Sequence, residues 1–152
     1  MDIYRSRLIF PIKSISGRTI GFGARILDNN KKSAKYINSP ESKIYNKSNV
    51  LFGLYNSKNE IVKKDSCLIA EGYTDVMRFH QIGINNIVSS SGTALTVNQI
   101  SLIRRLTKNV TMLFDSDKAG VNATERAIEL LLSQGMNTVS YTHLRAHETS
   151  LH

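Results

Sequence analysis

Cysteine occurs once in the 152 residues, as Cys67. A single thiol excludes an internal disulfide framework and a multi-cysteine zinc site. It lies inside an apolar run, where cysteine acts as a small core residue. Long hydrophobic runs are lacking too: none approaches the ~20 residues that cross a bilayer, so no membrane partner is expected. Met1-Asp2-Ile3-Tyr4-Arg5 lacks the layout of a secretory signal, which makes a cytoplasmic location the default expectation. Acids are scarce at the front of the chain. Residues 1–65 carry 13 Lys and Arg against 5 Asp and Glu, net +8, while residues 66–152 carry 7 and 7, net 0. The whole positive excess therefore sits in the first segment. It suits a half that meets a polyanion, and equally a solvated lysine-rich surface.

What is present divides at about residue 65. The length suits one domain, or one domain with a small neighbour, and is enough to bury a core. Leu8-Ile9-Phe10-Pro11-Ile12, a turn at Ser14–Gly17 and Thr19-Ile20-Gly21-Phe22-Gly23 predict a β-hairpin. Pro11 cannot donate to a ladder, which puts its strand at an edge or a bulge. Gly21 and Gly23 leave open a close approach by a ligand or another backbone, or a bulge. Residues 28–49 are polar and interleave lysines with tyrosines, as in Lys35-Tyr36 and Tyr45-Asn46-Lys47. That pattern suits phosphate and base contacts, and also an ordinary exposed loop. Asn56 to Asp65 is expected to be a polar linker.

From Ser66 the rhythm is strand, helix, strand, helix, strand, helix, which implies a mostly parallel sheet covered on both sides. One helix is expected from about Thr74 to Gln81, stopping at Gly83. Thr96-Val97-Asn98-Gln99 has the form of a capping box, with Ile100, Ile103 and Leu106 on one face of the helix that follows. A third helix, from about Ala119 to Gln134, turns Ala123, Ala127, Leu130 and Leu131 inward and ends at Gly135. A fourth strand is due near Asn137, but the pattern breaks after Val139-Ser140-Tyr141. Residues 140–152, with His143, His147 and His152, are expected to be non-native or disordered.

Two apolar runs end in acids. Cys67-Leu68-Ile69-Ala70 runs into Glu71-Gly72-Tyr73-Thr74-Asp75, and Val110-Thr111-Met112-Leu113-Phe114 runs into Asp115-Ser116-Asp117. In open α/β sheets the carboxyl edge of the strands is where ligands bind. Clustered carboxylates there suit a hard divalent ion such as Mg²⁺. Asp75, in a first helical turn, is also favoured by the helix dipole alone. Glu71 is less easily explained that way, because a carboxylate ending an apolar strand needs a proton, a partner or a metal.

Glu-Gly-Tyr-Thr-Asp-Val (71–76), Ser-Gly-Thr-Ala-Leu-Thr (91–96) and Asp-Ser-Asp-Lys-Ala-Gly (115–120) resemble, in order and spacing, the TOPRIM domain of bacterial DNA primases. Arg-Leu-Ile-Phe-Pro-Ile (7–12), Gly-Phe-Gly-Ala-Arg (21–25), Lys-Tyr-Ile-Asn-Ser-Pro-Glu (35–41) and Leu-Phe-Gly-Leu-Tyr (51–55) resemble the basic subdomain that precedes it. The resemblance covers about residues 3–138. It implies a TOPRIM-type mostly parallel sheet flanked by helices (66–139), preceded by a small basic α+β subdomain with a β-hairpin (1–65). It implies metal-dependent synthesis of RNA primers on single-stranded DNA from ribonucleoside triphosphates, in the cytoplasm at the replication fork. Glu71, Asp75, Asp115 and Asp117 take the catalytic positions. Glu71, Asp115 and Asp117 would hold Mg²⁺ or Mn²⁺. Arg7, Arg25, Lys35 and Lys47 fall in the groove for template, nucleotide and nascent primer. Ser116 replaces the glycine common in the family's Asp-Gly-Asp. A further acidic motif, the zinc-binding module at the family's N-terminus and the C-terminal region that meets the replicative helicase are missing, so an inactive internal fragment is expected. Another TOPRIM enzyme, nuclease or topoisomerase-like, and a non-catalytic single-stranded DNA-binding module are the alternatives.

Overall fold

A computed structural model describes residues 3–28 and 32–143, the last two by backbone only. The predicted hairpin forms as β1 (Arg7–Lys13) and β2 (Thr19–Ile26), and a third strand, β3 (Tyr36–Asn38), adds to β2 to make an antiparallel sheet in the order β1-β2-β3. Pro11 lies on the edge strand opposite Phe22, and the register slips at Ile12/Lys13, so both expected devices for a proline strand occur together. The predicted polar stretch thus contributes a short strand, held by Ile26 N–H to Lys35 O at 2.9 Å and by Phe22 N–H to Ser39 Oγ at 2.8 Å.

The two glycines of β2 are used by side chains from elsewhere. A Cβ at Gly23 would run into the Tyr73 ring, and one at Gly21 would come within 3.1 Å of the Tyr45 ring. Tyr73 stacks on Phe10 at 5.1 Å and meets Phe52 edge-on at 4.7 Å. These rings, with Ile12, Val76 and Ile87, form a buried cluster that joins the small sheet to the rest of the chain.

The expected linker is a helix, α1 (Leu54–Lys64). Its polar composition concealed a buried line of Leu54, Ser57 and Ile61, spaced by three and four residues. Ser57 reads as polar in sequence but is buried because its hydroxyl donates to Ile87 O at 2.8 Å. Gly53 starts the helix at φ +86°, and Asp65 ends it at φ +46°. Tyr55 on α1 lies so close to the hairpin turn that a Cβ at Gly17 would be 2.7 Å from its ring. The boundary between the two parts is therefore packed rather than open.

Beyond it come β4 (Cys67–Ala70), α2 (Tyr73–Gln81), β5 (Ile87–Ser89), α3 (Val97–Arg104), β6 (Asn109–Asp115), α4 (Lys118–Ser133) and β7 (Asn137–His143). The sheet order is β5-β4-β6-β7, all parallel, with helices as predicted between the strands. Phe52 adds one antiparallel bridge to Ser89 at the β5 edge. Gly83 and Gly135 follow α2 and α4 at φ +86° and +76°, as left-handed helix stops. Ile69, Val110, Met112, Ile100, Ile103 and Leu131 fill the core, and Cys67 is buried with its thiol pKa pushed up by desolvation. Strand β7 pairs with β6 from Asn137 to His143 and so crosses the boundary expected at residue 140. Residues 144–152, including His147 and His152, lie outside the described residues.

Candidate active site at the carboxyl edge of the sheet

Neighbouring parallel strands β4 and β6 end side by side, with Ala70 opposite Leu113, so the acids that follow them meet. Glu71 is half-buried just past β4, and its Oε1 accepts the Asp115 backbone N–H at 3.0 Å. Its own carbonyl is held by Ser89 Oγ at 2.9 Å and Gly92 N–H at 3.3 Å. The turn that presents the carboxylate is thus tied to both flanking strands. Burial pushes the Glu71 carboxyl above the ordinary glutamate value; the Asp115 N–H opposes this, and the charges of Asp115, Asp117 and Asp75 add to it.

Asp115 is the last residue of β6. Asp117 is the N-cap of α4 and accepts the Gly120 N–H at 2.7 Å. Gly120 is required there, because a Cβ would strike the Asp115 carbonyl oxygen; this close approach lets α4 start directly against the end of β6. Asp75 stands in the first turn of α2, close enough for its charge to act on the Glu71 carboxyl.

The four predicted acids therefore share one edge, with Glu71 and Asp115 in direct contact. Among the described residues, no three Asp, Glu, His or Cys side chains form a group able to hold a metal ion. One oxygen of Glu71 is engaged by a backbone N–H and one of Asp117 by the helix cap. The chemistry of the set still suits a hard cation. All donors are oxygens, and a half-buried carboxyl whose pKa is raised first by burial and further by three neighbouring acids is relieved by a divalent positive charge.

The predicted cations divide. Arg25 and Lys35 flank one ring, Tyr36, each at 5.9 Å from its centroid. Tyr36 tilts against Tyr73 at 6.4 Å, and Tyr73 is two residues from Glu71. A short aromatic path thus links this cationic pair to the acid edge. Arg7 sits one register step from the Leu8–Arg25 pair, so strand alternation gives it the opposite face, although its guanidinium reaches Lys35 O at 3.5 Å. Lys47 lies in a single 3₁₀ turn (Lys47–Asn49) and lines a small gap with Asn38, Ser90, Ser91 and Thr93.

Tyr73 is not among the predicted site residues, yet it is 2% exposed and its hydroxyl donates to Asn38 Oδ1 at 2.5 Å. Its sequence signal was an aromatic placed between two acids in a helical first turn, a position that normally favours polar residues. Ser89 also holds the site edge, through its bond to Glu71 O, and carries no signal of that role in sequence.

This sheet, with its acidic carboxyl edge, is a Toprim domain. The chain belongs to the Toprim-like family, which matches residues 68–148. Residues 1–58 match the DNA primase catalytic core, N-terminal domain. The chain is 46% identical over 135 residues to the DNA primase of Aquifex aeolicus, covering 89% of this chain and 27% of that protein. It is 44% identical over 131 residues to the DNA primase of Escherichia coli K12, covering 86% and 22%. It therefore spans about a quarter of the length of these relatives. The zinc-binding and RNA polymerase domains of the Aquifex aeolicus primase superpose with a TM-score of 0.90 at 42% identity, over 96% of this chain and 36% of that one. A DnaG primase catalytic domain bound to single-stranded DNA superposes with a TM-score of 0.85 at 38% identity, over 95% and 46%. Among the described residues, no helix is long and apolar enough to cross a membrane.

Proposed function

We propose that this chain is part of a DNA primase, which joins ribonucleoside triphosphates into short RNA primers on a single-stranded DNA template and works beside a replicative helicase. The observation that supports this best is the aromatic bridge Arg25/Lys35–Tyr36–Tyr73, which sets a cationic surface beside the acids at Glu71 and Asp115. Phosphoryl transfer asks a protein for positioning and charge stabilisation rather than covalent chemistry. Glu71, Asp115 and Asp117 would hold Mg²⁺ or Mn²⁺, with Asp75 adding negative potential. When bound, the ion neutralises charge on the phosphates being transferred. Arg7, Arg25, Lys35 and Lys47 grip phosphates of template, nucleotide or nascent primer without reading base sequence. Tyr73 keeps the two surfaces in register.

Calorimetric titration of the chain with Mn²⁺, beside the Asp115→Asn/Asp117→Asn pair, tests the acid assignments. The expected result is binding that disappears in the double variant, while affinity for single-stranded DNA stays within about twofold. Equal Mn²⁺ binding by both proteins would remove these acids from the metal site. Loss of DNA affinity in parallel would instead place them in the nucleic-acid surface.

A further inference from the structure

Gln99 is a polar side chain with no exposed surface, and every polar atom of its amide is used. Its Oε1 accepts the Thr96 N–H at 3.0 Å, completing the capping box of α3. Its Nε2 turns away from the helix and donates to Lys47 O at 3.0 Å and Val50 O at 2.9 Å. A capping residue does not need that second pair of bonds. They cross some fifty positions of sequence and join the Toprim domain to the turn that carries Lys47.

The neighbouring bonds serve the same turn. Thr96 Oγ1 donates to Ser48 O at 2.6 Å. From the other side, Glu41 accepts the Lys47 N–H with both carboxylate oxygens, at 3.1 and 3.3 Å. The Lys47 residue is thus held at its N–H by one side chain and at its C=O by another. The loop after β5 completes the path, because Ser91 N–H donates to Ser89 Oγ and Ser89 Oγ donates to Glu71 O. Glu71 is anchored to the end of β5 and the loop after it, and Lys47 to the first turn of α3, which that loop leads into.

We infer that Gln99 is a positioning residue: its amide fixes the Lys47 turn against the α3 cap, and so sets where the Lys47 ammonium meets a phosphate beside the acid edge. A buried amide suits this task. Leaving two part-buried carbonyl oxygens without a donor is costly, so the turn is held in one position. The inference rests on the reading of Lys47 as a phosphate contact.

The test is a double-mutant cycle on the full chain. The probe is a labelled oligothymidylate of about 20 nucleotides, longer than a typical single-strand site. Affinity is followed against salt, since each phosphate contact contributes a log–log slope of about 0.7 on single strands. Gln99→Glu keeps the oxygen that caps α3 but removes the donor; Gln99→Met removes both and covers the case in which the buried charge prevents folding. Ser133→Ala, which loses only an exposed hydroxyl bond to Leu130 O at the C-terminal end of α4, is the control. The expected result is a roughly three- to tenfold loss of affinity with a shallower slope for either Gln99 variant. In a Lys47→Ala background the further loss should be under about twofold, with Ser133→Ala silent throughout. An undiminished loss in the Lys47→Ala background, or a loss without change of slope, overturns the inference. A silent Lys47→Ala variant overturns the reading of Lys47 itself, and the inference with it.

Discussion

Gly23→Ala is the substitution whose cost follows most directly from the structure. Gly23 lies mid-strand in β2, paired with Phe10 on one side and Asn38 on the other. Its backbone is not in the left-handed region, so alanine is conformationally acceptable there. Taken alone, the change should favour the folded state by about 0.5–1 kcal/mol, because glycine loses more freedom on folding. Sterics oppose this. The new Cβ would lie 2.5 Å from both Cε2 and Oη of Tyr73, about 1 Å inside ordinary contact distance. Neither partner can yield easily: β2 is paired on both edges, and the ring is packed against Phe10 and Phe52. Overpacking costs about 1–3 kcal/mol, and an overlap of about 1 Å takes the upper half of that range, leaving a net destabilisation of about 1–2.5 kcal/mol. Urea denaturation of the chain and of a Gly23→Ala/Tyr73→Ala cycle measures it. With the ring gone the alanine should be neutral or stabilising. The reasoning fails if Gly23→Ala is neutral by itself, or costs as much without Tyr73 as with it.

Glu71→Gln should stabilise the metal-free protein at neutral pH. The folded-state pKa of Glu71 is raised, so its contribution favours folding at low pH and is lost as pH rises through the ordinary glutamate range toward the raised value. The stability of the parent minus that of the variant should fall across that interval; denaturation curves at a series of pH values without divalent ions would show it, and a rising difference would reverse the assignment. Ile61→Ala should cost about 2–5 kcal/mol, because Ile61 is fully buried on α1. A cost below about 0.5 kcal/mol in the same denaturation assay would return that segment to the status of a linker.

Much of the architecture was legible because it is carried by local signals. The alternation of apolar runs with periodic helices predicted the parallel sheet, and Gly83 and Gly135 marked helix ends through their tolerance of positive φ. Thr96 and Gln99 announced a capping box at the right spacing, and it forms. Pro11 confined its strand to an edge because it lacks a donor. The acids at 71, 75, 115 and 117 were identifiable as candidates because each ends or follows an apolar run.

Where local signals were weak, the sequence misled. Helix α1 shows only Leu54, Ser57 and Ile61 on its inner face, and a serine satisfied by a distant carbonyl looks like a surface residue until that carbonyl is known. Gly21 and Gly23 left open a close approach or a bulge, and the tyrosine rings that do come close are 24 and 50 positions away. The contact of Glu71 with Asp115 spans 44 residues and depends on β4 and β6 being neighbours in the sheet. Gln99 was visible as a cap, whereas its hold on the Lys47 turn belongs to the packing of two distant segments. Sequence by itself determined the hairpin, the alternating elements after Ser66 and the kinds of chemistry at their ends, because those depend on residues within a few positions of one another. Only the tertiary structure decided which ends meet, which glycines are compressed and which polar groups are satisfied, because those are set by strand order and by contacts between residues far apart in the chain.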